Sequence, residues 1–205
     1  MSSIAATTPV ATLEAHTVPQ PCREQRDADG RRISVTFESH EVQRPEPAGE
    51  GWLAALDGSG HALHALAMAM RLSIESGARV LDLVNVQPWL SKEAAQAGLP
   101  QRGWEVCVDA CAMLDANGLG WRLHVLMGEP AARIVELADC LGSRGIVIGA
   151  RGLTATETLL LGSVAQQVIH AARGAVLVVR VLNHRVQRAS RHRPAQCTEP
   201  HETRT

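Results

Sequence analysis

The sequence predicts an α/β protein: an open, doubly wound sheet of five parallel strands with helices on both faces. Between residues 51 and 182, short apolar runs alternate strictly with stretches of helical periodicity. This alternation is typical of parallel strands joined by helical crossovers. The strand runs are apolar without a period-two alternation, as expected for strands that helices cover on both faces.

Each element has its own signal. A helix over 60–77 ends at Gly77, a residue suited to the C′ position. The next helix ends at Asn117-Gly118, and the third carries Pro130 in its first turn, where the missing N–H does no harm. A loop with Pro88 and Pro100 is expected before the second helix. The predicted strands are 52–56, 79–86, 121–128, 145–150 and 175–181, and the predicted helices are 60–77, 102–118, 130–143 and a helix from Ser163.

Both ends of the chain differ from this central domain at 51–182. Residues 1–50 are rich in Thr, Pro, Glu and Arg, and we expect a disordered extension that ends in a linker, PEPAGEG. Within it, RISVTF at 32–37 alternates with a period of two, which is also compatible with a short strand or a partner-binding arm. Residues 183–205 form an Arg-rich tail, interpreted as solvated, with a contact to an acidic partner as the alternative.

Composition excludes several classes of protein. Aromatic residues are 2% of the chain, so the core must be aliphatic. The net charge of −1 does not favour nucleic-acid binding. No apolar run approaches the ~18 residues of a membrane helix. Five cysteines, an odd number, without a signal-peptide pattern favour reduced thiols in a cytoplasmic, soluble protein.

One candidate site follows the first strand. Asp57 ends that strand, and Gly58 and Gly60 open the turn into the helix. Gly58-x-Gly60 is half of a dinucleotide fingerprint, but Leu63 occupies the third glycine position and the second strand ends in Asn85-Val86 rather than an acid. A dinucleotide site is therefore disfavoured. An N-cap or turn role for Asp57 is compatible with ligand binding.

The second candidate is GARGLTATETLLLGSVA, residues 149–165. Gly149 and Gly152 permit a close approach that a Cβ would block. After nine further residues, Gly162 and Ser163 begin a helix, whose free N–H groups and dipole suit a phosphate. Spacing alone leaves a plain glycine-bearing loop equally open. A Walker A loop is excluded because Lys92, the only lysine, lies elsewhere, and no Gly-x-Ser-x-Gly elbow is found.

Two further pairs are weaker candidates. Cys107 and Cys111 lie four apart on the second helix, but no matching ligands are evident, and buried thiols are the favoured interpretation. His61 and His64 lie at the start of the first helix, where solvent-facing side chains are favoured over ligands.

Taken together, these motifs resemble the universal stress protein family. The resemblance runs from about Gly51 to about Val181. Its most specific part is the pattern of two residues between Gly149 and Gly152 and nine before Gly162-Ser163. The sequence departs from the family at Asn85, where His is frequent, and at Arg144-Gly145, where an acid often stands. The motifs that carry the resemblance are 56–59, 83–86, 128–131 and 149–164.

The resemblance implies the strand order 3-2-1-4-5 and membership of the ATP-binding subgroup, which keeps the full glycine pattern. In that order Asp57 and the glycine loop flank one crevice. Asp57 would contact the ribose or adenine side, Val86 would contact adenine, and Ala55 would line the same pocket. The ribose and phosphates would be held by Gly149, Gly152, Gly162, Ser163 and Val164.

Three functions remain open from sequence. The first is an ATP-binding stress or regulatory protein, with Mg²⁺ as a common companion of a polyphosphate. The second is a nucleotide-free dimeric scaffold that acts through partner proteins, motivated by the apolar edge strand Ala175 to Val181. The third is slow ATP hydrolysis, although no general base accompanies Asp57. A homodimer through that edge strand is expected in the first two.

Overall fold

The computed structural model describes residues 17–40, 42, 51–152 and 161–181, and its secondary structure extends the predicted five-strand pattern. The strands are β1 (Arg23–Arg26), β2 (Arg32–Glu38), β3 (Trp52–Ala55), β4 (Val80–Gln87), β5 (Gly120–Met127), β6 (Gly145–Gly149) and β7 (Ala175–Val179). The helices are α1 (Gly60–Ser76), α2 (Lys92–Ala116), α3 (Pro130–Leu141) and α4 (Ser163–Ala171).

One sheet of seven strands forms the centre of the fold, in the order β1-β2-β5-β4-β3-β6-β7. The segment β5-β4-β3-β6-β7 is parallel throughout and has the expected order 3-2-1-4-5. The prediction of a sheet with only these five strands is wrong, because β2 adds antiparallel to β5 and β1 adds antiparallel to β2.

The two added strands correct the expectation that residues 1–50 form a disordered extension. Val35 and Phe37 are 0% and 1% exposed and join the main core, so the period-two pattern does bury one face. The β1–β2 turn is held by Asp27, whose Oδ1 accepts hydrogen bonds from the N–H groups of Asp29 and Arg31. Polar composition alone misjudged this segment, because its polar residues Ser34 and Thr36 are 6% and 9% exposed and lie within the fold. The expected linker, the Arg-rich tail and residues 1–16 lie largely or wholly outside the described ranges.

Helices cover the parallel strands on both faces, as predicted. Most of the residues that α1 and α2 bury belong to one hydrophobic cluster with Leu81, Leu83 and Leu123. The residues that α3 and α4 bury belong to a second cluster with Leu53 and Val84. Neighbouring residues of one strand thus pack in opposite layers, which explains why the parallel strands are largely apolar and do not follow a period-two pattern.

Helix α2 begins ten residues before its predicted start, so the expected loop around Pro100 is wrong. Ser91 caps the helix by accepting a hydrogen bond from the N–H of Ala94 at 3.2 Å. Pro100 lies inside the helix and is buried. Although α2 has 25 residues, no helix in the described ranges is both long and apolar enough to cross a membrane.

Pro100 is accommodated through the added strands. A proline has no N–H to donate to the carbonyl four residues earlier, which here belongs to Gln96. The guanidinium of Arg32, on β2, donates a hydrogen bond to that carbonyl instead. Arg26 also donates to Gln96 Oε1 at 2.8 Å, and Lys92 Nζ donates to the carbonyl of Asp29 at 2.6 Å. The β1–β2 hairpin is therefore hydrogen-bonded to the first half of α2.

A polar network joins β2, β5 and β4 on the sheet face that carries Val84. Arg122 bridges Glu38 at 3.0 Å and Asp82 at 3.2 Å. His124 lies 3.0 Å from Asp82, and its Nδ1 is 3.4 Å from Thr36 Oγ1. The added strand β2 is thus attached to the parallel sheet by side chains as well as by its backbone ladder.

Candidate functional site

A cavity of about 330 Å³ lies at the carboxyl ends of β3, β4 and β6. This is the edge at which open α/β sheets bind ligands. Its lining includes all eight residues that the sequence singled out: Ala55, Asp57, Val86, Gly149, Gly152, Gly162, Ser163 and Val164. Their shared position at one cavity is a property of the fold, and their roles in binding remain a prediction.

The β3–α1 loop forms one wall. Asp57 Oδ1 accepts a hydrogen bond from the N–H of Ser59 at 2.9 Å. One carboxylate oxygen of Asp57 therefore stabilises the turn in which Asp57 lies. Ser59 caps α1 by accepting from the N–H of Ala62 at 3.1 Å. Gly58 has φ +81°, a conformation that L side chains rarely adopt. The carboxylate of Asp57 is therefore presented on a tightly defined turn.

The glycine loop approaches that wall so closely that side chains would not fit between them. A Cβ on Gly149 would lie 2.9 Å from the backbone carbon of His61. A Cβ on Gly152 would lie 2.6 Å from Asp57 Oδ2. The first contact joins the end of β6 to the first turn of α1, and the second joins the loop after β6 to the loop after β3. The two candidate motifs, separated by about ninety residues in the chain, thus meet at one site.

Helix α4 begins at the cavity. Its N-cap residue is Gly162, which offers no side-chain hydrogen bond to the first turn. The N–H of Gly162 donates to the carbonyl of Ala150 at 2.7 Å, which ties the helix start to the end of β6. Ser163 is exposed and Val164 is half-buried. The first turn of α4 therefore presents backbone donors and a hydroxyl to the cavity, an arrangement suited to an anion.

The remainder of the cavity is largely apolar. Ala55, Val84 and Ile148 contribute from three adjacent strands, and Pro130 and Ile134 contribute from α3. Sequence analysis missed the α3 side, although Pro130-x-x-x-Ile134 follows the carboxyl end of β5 at the same sheet edge and has helical spacing. Such a surface can pack against a flat apolar group.

Among the described residues that line the cavity, Asp57 is acidic and Arg151 is basic, and both already interact with other groups of the protein. Residues 153–160, between the two glycine clusters, lie outside the described ranges. Among the residues that the structure describes, no cluster of His, Cys, Asp and Glu could hold a metal ion.

The two histidine and two cysteine candidates lie outside the cavity lining. His64 is exposed and its Nδ1 is 2.7 Å from the carbonyl of Gly60, while His61 is half-buried. Cys107 and Cys111 are 0% and 1% exposed. Burial, together with the negative charge of Asp57, raises the pKa of Cys107 to about 12. Burial also raises the pKa of Cys111, so both thiols are protonated at neutral pH, as core residues rather than metal ligands or nucleophiles.

A parallel sheet with a cavity at its carboxyl edge and a helix start at one side defines a protein of the doubly wound α/β class. The model of the universal stress protein family matches residues 53–180. This match spans more than half of the 205 residues, and the chain belongs to the universal stress protein family.

Individual relatives agree with this assignment. The chain is 35% identical over 132 residues to universal stress protein MJ0531 of Methanocaldococcus jannaschii, covering 60% of this chain and 78% of that protein. The solved structure of hypothetical protein MJ0577 has a TM-score of 0.59 at 23% identity, covering 66% of this chain and 99% of that one, a likeness in fold.

Two solved relatives carry nucleotides. A universal stress protein in complex with cAMP has a TM-score of 0.52 at 26% identity, covering 64% of this chain and 97% of that one. A universal stress protein from Archaeoglobus fulgidus in complex with dAMP has a TM-score of 0.52 at 25% identity, covering 63% of this chain and 96% of that one. Adenine nucleotide binding therefore occurs among structural neighbours of this chain.

Proposed function

We propose that this protein binds an adenine nucleotide in the cavity at the carboxyl ends of β3, β4 and β6, with ATP as the expected ligand, and acts as a regulatory protein in a stress response. The observation that carries the proposal is that all eight residues selected from the sequence line one cavity. The cAMP and dAMP complexes of structural neighbours support the same ligand class.

Different parts of the cavity lining suit the different chemical groups of such a nucleotide. Its apolar part, with Val84, Val86 and Ile134, offers a surface for the adenine ring. The start of α4, with Ser163 and Val164, offers donors to the phosphates. The carboxylate of Asp57 can accept hydrogen bonds from sugar hydroxyls. Any Mg²⁺ would then be held chiefly by phosphate oxygens, as is usual for this ion.

Nucleotide binding can be tested on freshly purified protein. The protein is denatured, the released small molecules are identified by chromatography and mass spectrometry, and ATP affinity is measured by calorimetry on nucleotide-free protein with and without Mg²⁺. A released adenine nucleotide or measurable ATP affinity is expected. Absence of both would overturn the proposal.

A variant locates the ligand. Gly162→Leu places a bulky side chain at the cavity, whereas a Cβ alone would lie at an ordinary distance of 3.5 Å from the backbone of Ala150 and Arg151. We expect retained fold and abolished ATP binding. Gly174→Leu is the matched control because Gly174 is exposed, outside this cavity, and its Cβ would approach only the Arg144 carbonyl, at 4.0 Å. Equal ATP affinity of the two variants would exclude this cavity.

The proposal extends to a homodimer formed through the sheet edge at β7. Ala175 is exposed and the rest of β7 is half-buried and apolar. The opposite edge strand, β1, has the sequence REQR and is irregular in register, features that discourage strand pairing. Edge-to-edge pairing of two copies is thus favoured at β7.

Sedimentation experiments test the dimer and its dependence on nucleotide. The wild-type protein is expected to dimerise at micromolar concentration, and Ala175→Lys is expected to weaken the dimer because it adds a charge to the open edge. For a nucleotide-dependent switch, the dissociation constant of the dimer must change when ATP is added. A monomer under all conditions would refute the pairing.

The alternative function, a nucleotide-free dimeric scaffold, is favoured by the same β7 edge. It predicts that ATP does not change the dissociation constant of the dimer. It also predicts that the purified protein carries no nucleotide. A turnover assay with Mg²⁺ separates ATP binding from slow hydrolysis. A cytoplasmic location is part of the proposal, and fractionation of cells that produce the protein tests it.

A further inference from the structure

Asn85 connects two strand ends beneath the cavity without lining it. Its side chain lies on the α1–α2 side of the sheet, the residue is 3% exposed, and Nδ2 donates a hydrogen bond to the backbone carbonyl of Leu56 at 2.8 Å. The backbone N–H of Leu56 in turn donates to the carbonyl of Val84 at 2.9 Å. Both the N–H and the carbonyl group of Leu56 are therefore hydrogen-bonded to residues of β4.

The orientation of the Asn85 amide follows from its partners. The carbonyl of Leu56 can only accept, so the nitrogen of the amide faces it. On the other side, Gln87 Nε2 donates to Asn85 Oδ1 at 2.6 Å. Both ends of the amide are thus used, and the direction of the side chain is fixed.

The residues that directly follow Leu56 and Asn85 in the chain both line the cavity. Leu56 precedes Asp57, the acidic group of the β3–α1 loop, and Asn85 precedes Val86 at the end of β4. Beyond Leu56 the chain leaves the sheet, so the Asn85 bond is made where the loop departs. A shift of the Leu56 carbonyl would move the carboxylate of Asp57 relative to Gly152, against which it is closely fitted.

We propose that Asn85 is a positioning residue for the nucleotide site: its bond to the Leu56 carbonyl holds the Asp57 turn at a fixed distance from the Val86 wall, and so sets the affinity for the nucleotide. The effect on affinity rests on the proposed function, whereas the effect on the turn does not. Sites that must match a ligand to a fraction of an ångström depend on such supporting contacts.

Two variants and one control test the role of Asn85. Asn85→Leu has a similar size and no donor. Asn85→Asp has nearly the same shape but cannot donate when ionised. Asn117→Ala is the matched control, because Asn117 Nδ2 also donates to a backbone carbonyl, that of Met113 at 2.7 Å, but at the exposed end of α2.

The first measurement is hydrogen–deuterium exchange of the backbone amides of residues 57–62 without nucleotide. Exchange is expected to be faster in Asn85→Leu than in the wild type and unchanged in Asn117→Ala. The second is ATP affinity, which is expected to fall about tenfold or more in Asn85→Leu, because the turn is no longer held in place and must be ordered when the nucleotide binds. Asn117→Ala is expected to bind within about twofold of the wild type, since surface changes have small effects.

The Asp variant separates positioning from simple loss of packing. A protonated carboxyl can again donate to the Leu56 carbonyl and accept from Gln87. The affinity of Asn85→Asp, divided by that of the wild type at the same pH, is therefore expected to rise as the pH falls. The same ratio for Asn85→Leu is expected to stay constant.

The outcomes decide the two proposals separately. Wild-type protein that binds no adenine nucleotide overturns the proposed function, and the exchange rates still decide whether Asn85 holds the turn. Unchanged exchange at residues 57–62 in Asn85→Leu, or wild-type ATP affinity in that variant, overturns the role proposed for Asn85.

Discussion

The guanidinium of Arg32 donates a hydrogen bond to the backbone carbonyl of Gln96, the carbonyl that Pro100 leaves without its helical partner. The Arg32 side chain is 14% exposed and also pairs with Glu24 at 2.8 Å. A strand that precedes the parallel domain therefore completes the hydrogen bonding of a helix within it. The hairpin and α2 are expected to unfold together, because each supplies partners to the other.

A double-mutant cycle measures this relationship. Arg32→Met is expected to destabilise the protein by about 0.5–1.5 kcal/mol, the usual contribution of one hydrogen bond. In a Pro100→Ala background the cost should be smaller, because the new N–H of residue 100 can donate to Gln96 itself. The free energy of unfolding from urea titrations checks both values. Glu24→Gln isolates the contribution of the ion pair, and equal costs of Arg32→Met in both backgrounds would contradict the relationship.

Gly149 and Gly162 should respond differently to alanine. At Gly149 the new Cβ would lie within 3.1 Å of the backbone of His61 and Ala62, which cannot move aside cheaply. We expect Gly149→Ala to cost about 1–3 kcal/mol, as for other overpacked sites. At Gly162 the nearest atom would be at 3.5 Å and φ is −72°, so Gly162→Ala should leave stability nearly unchanged. Thermal unfolding of the two variants gives the comparison; equal melting temperatures would show that the two loops do not fit together as closely as described.

Arg122 should matter far more to stability than a surface arginine. It lies between Glu38 and Asp82, and its side chain is 18% exposed. Arg122→Met removes the arginine partner of two partly buried carboxylates and leaves Asp82 with only His124, which is expected to cost about 3 kcal/mol. Arg71→Met is the matched control, because the Arg71–Glu75 pair is 71% and 60% exposed and such pairs contribute less than about 1 kcal/mol. Chemical denaturation of both variants tests the ranking, which similar losses would refute.

The cysteines are expected to differ in their reactivity with thiol reagents, according to how exposed each side chain is. Cys22 and Cys140 are exposed, whereas Cys107 and Cys111 are buried and protonated. A variant that lacks Cys22, Cys140 and Cys197 should therefore show no rapid reaction with a disulfide reagent at pH 8 until it is unfolded. Rapid labelling of that folded variant would contradict the packing of α2 against the sheet.

The same thiols predict a loss of stability at alkaline pH. In the unfolded chain a cysteine thiol has a pKa of about 8.5, whereas burial raises the pKa of Cys107 to about 12 in the folded state. Above pH 8.5 the unfolded state therefore binds fewer protons, and stability falls as the pH rises towards 12. Replacing Cys107 and Cys111 by alanine should flatten the dependence of unfolding free energy on pH over this range. An unchanged slope would exclude these thiols as its source.

The sequence by itself determined the parallel core and the residues of the candidate site. Apolar runs without alternation marked β3 to β7, since strands covered on both faces need apolar residues throughout. Gly77 marked the end of α1 and takes a left-handed conformation there, with φ +77°. Local signals of this kind act within a few residues, so they can be seen in one sequence. Family resemblance was needed for the strand order and for the expected ligand.

Only the tertiary structure decided what depends on contacts between distant segments. RISVTF became β2 because β5 offered it an unpaired edge and a core for Val35 and Phe37. Pro100 could lie inside α2 because Arg32, about seventy residues earlier, supplies a donor. The fit of Gly152 against Asp57 and the bond from Asn85 to Leu56 likewise join separate strands. Such pairings depend on the three-dimensional arrangement of the sheet, which the spacing of residues along the chain does not specify.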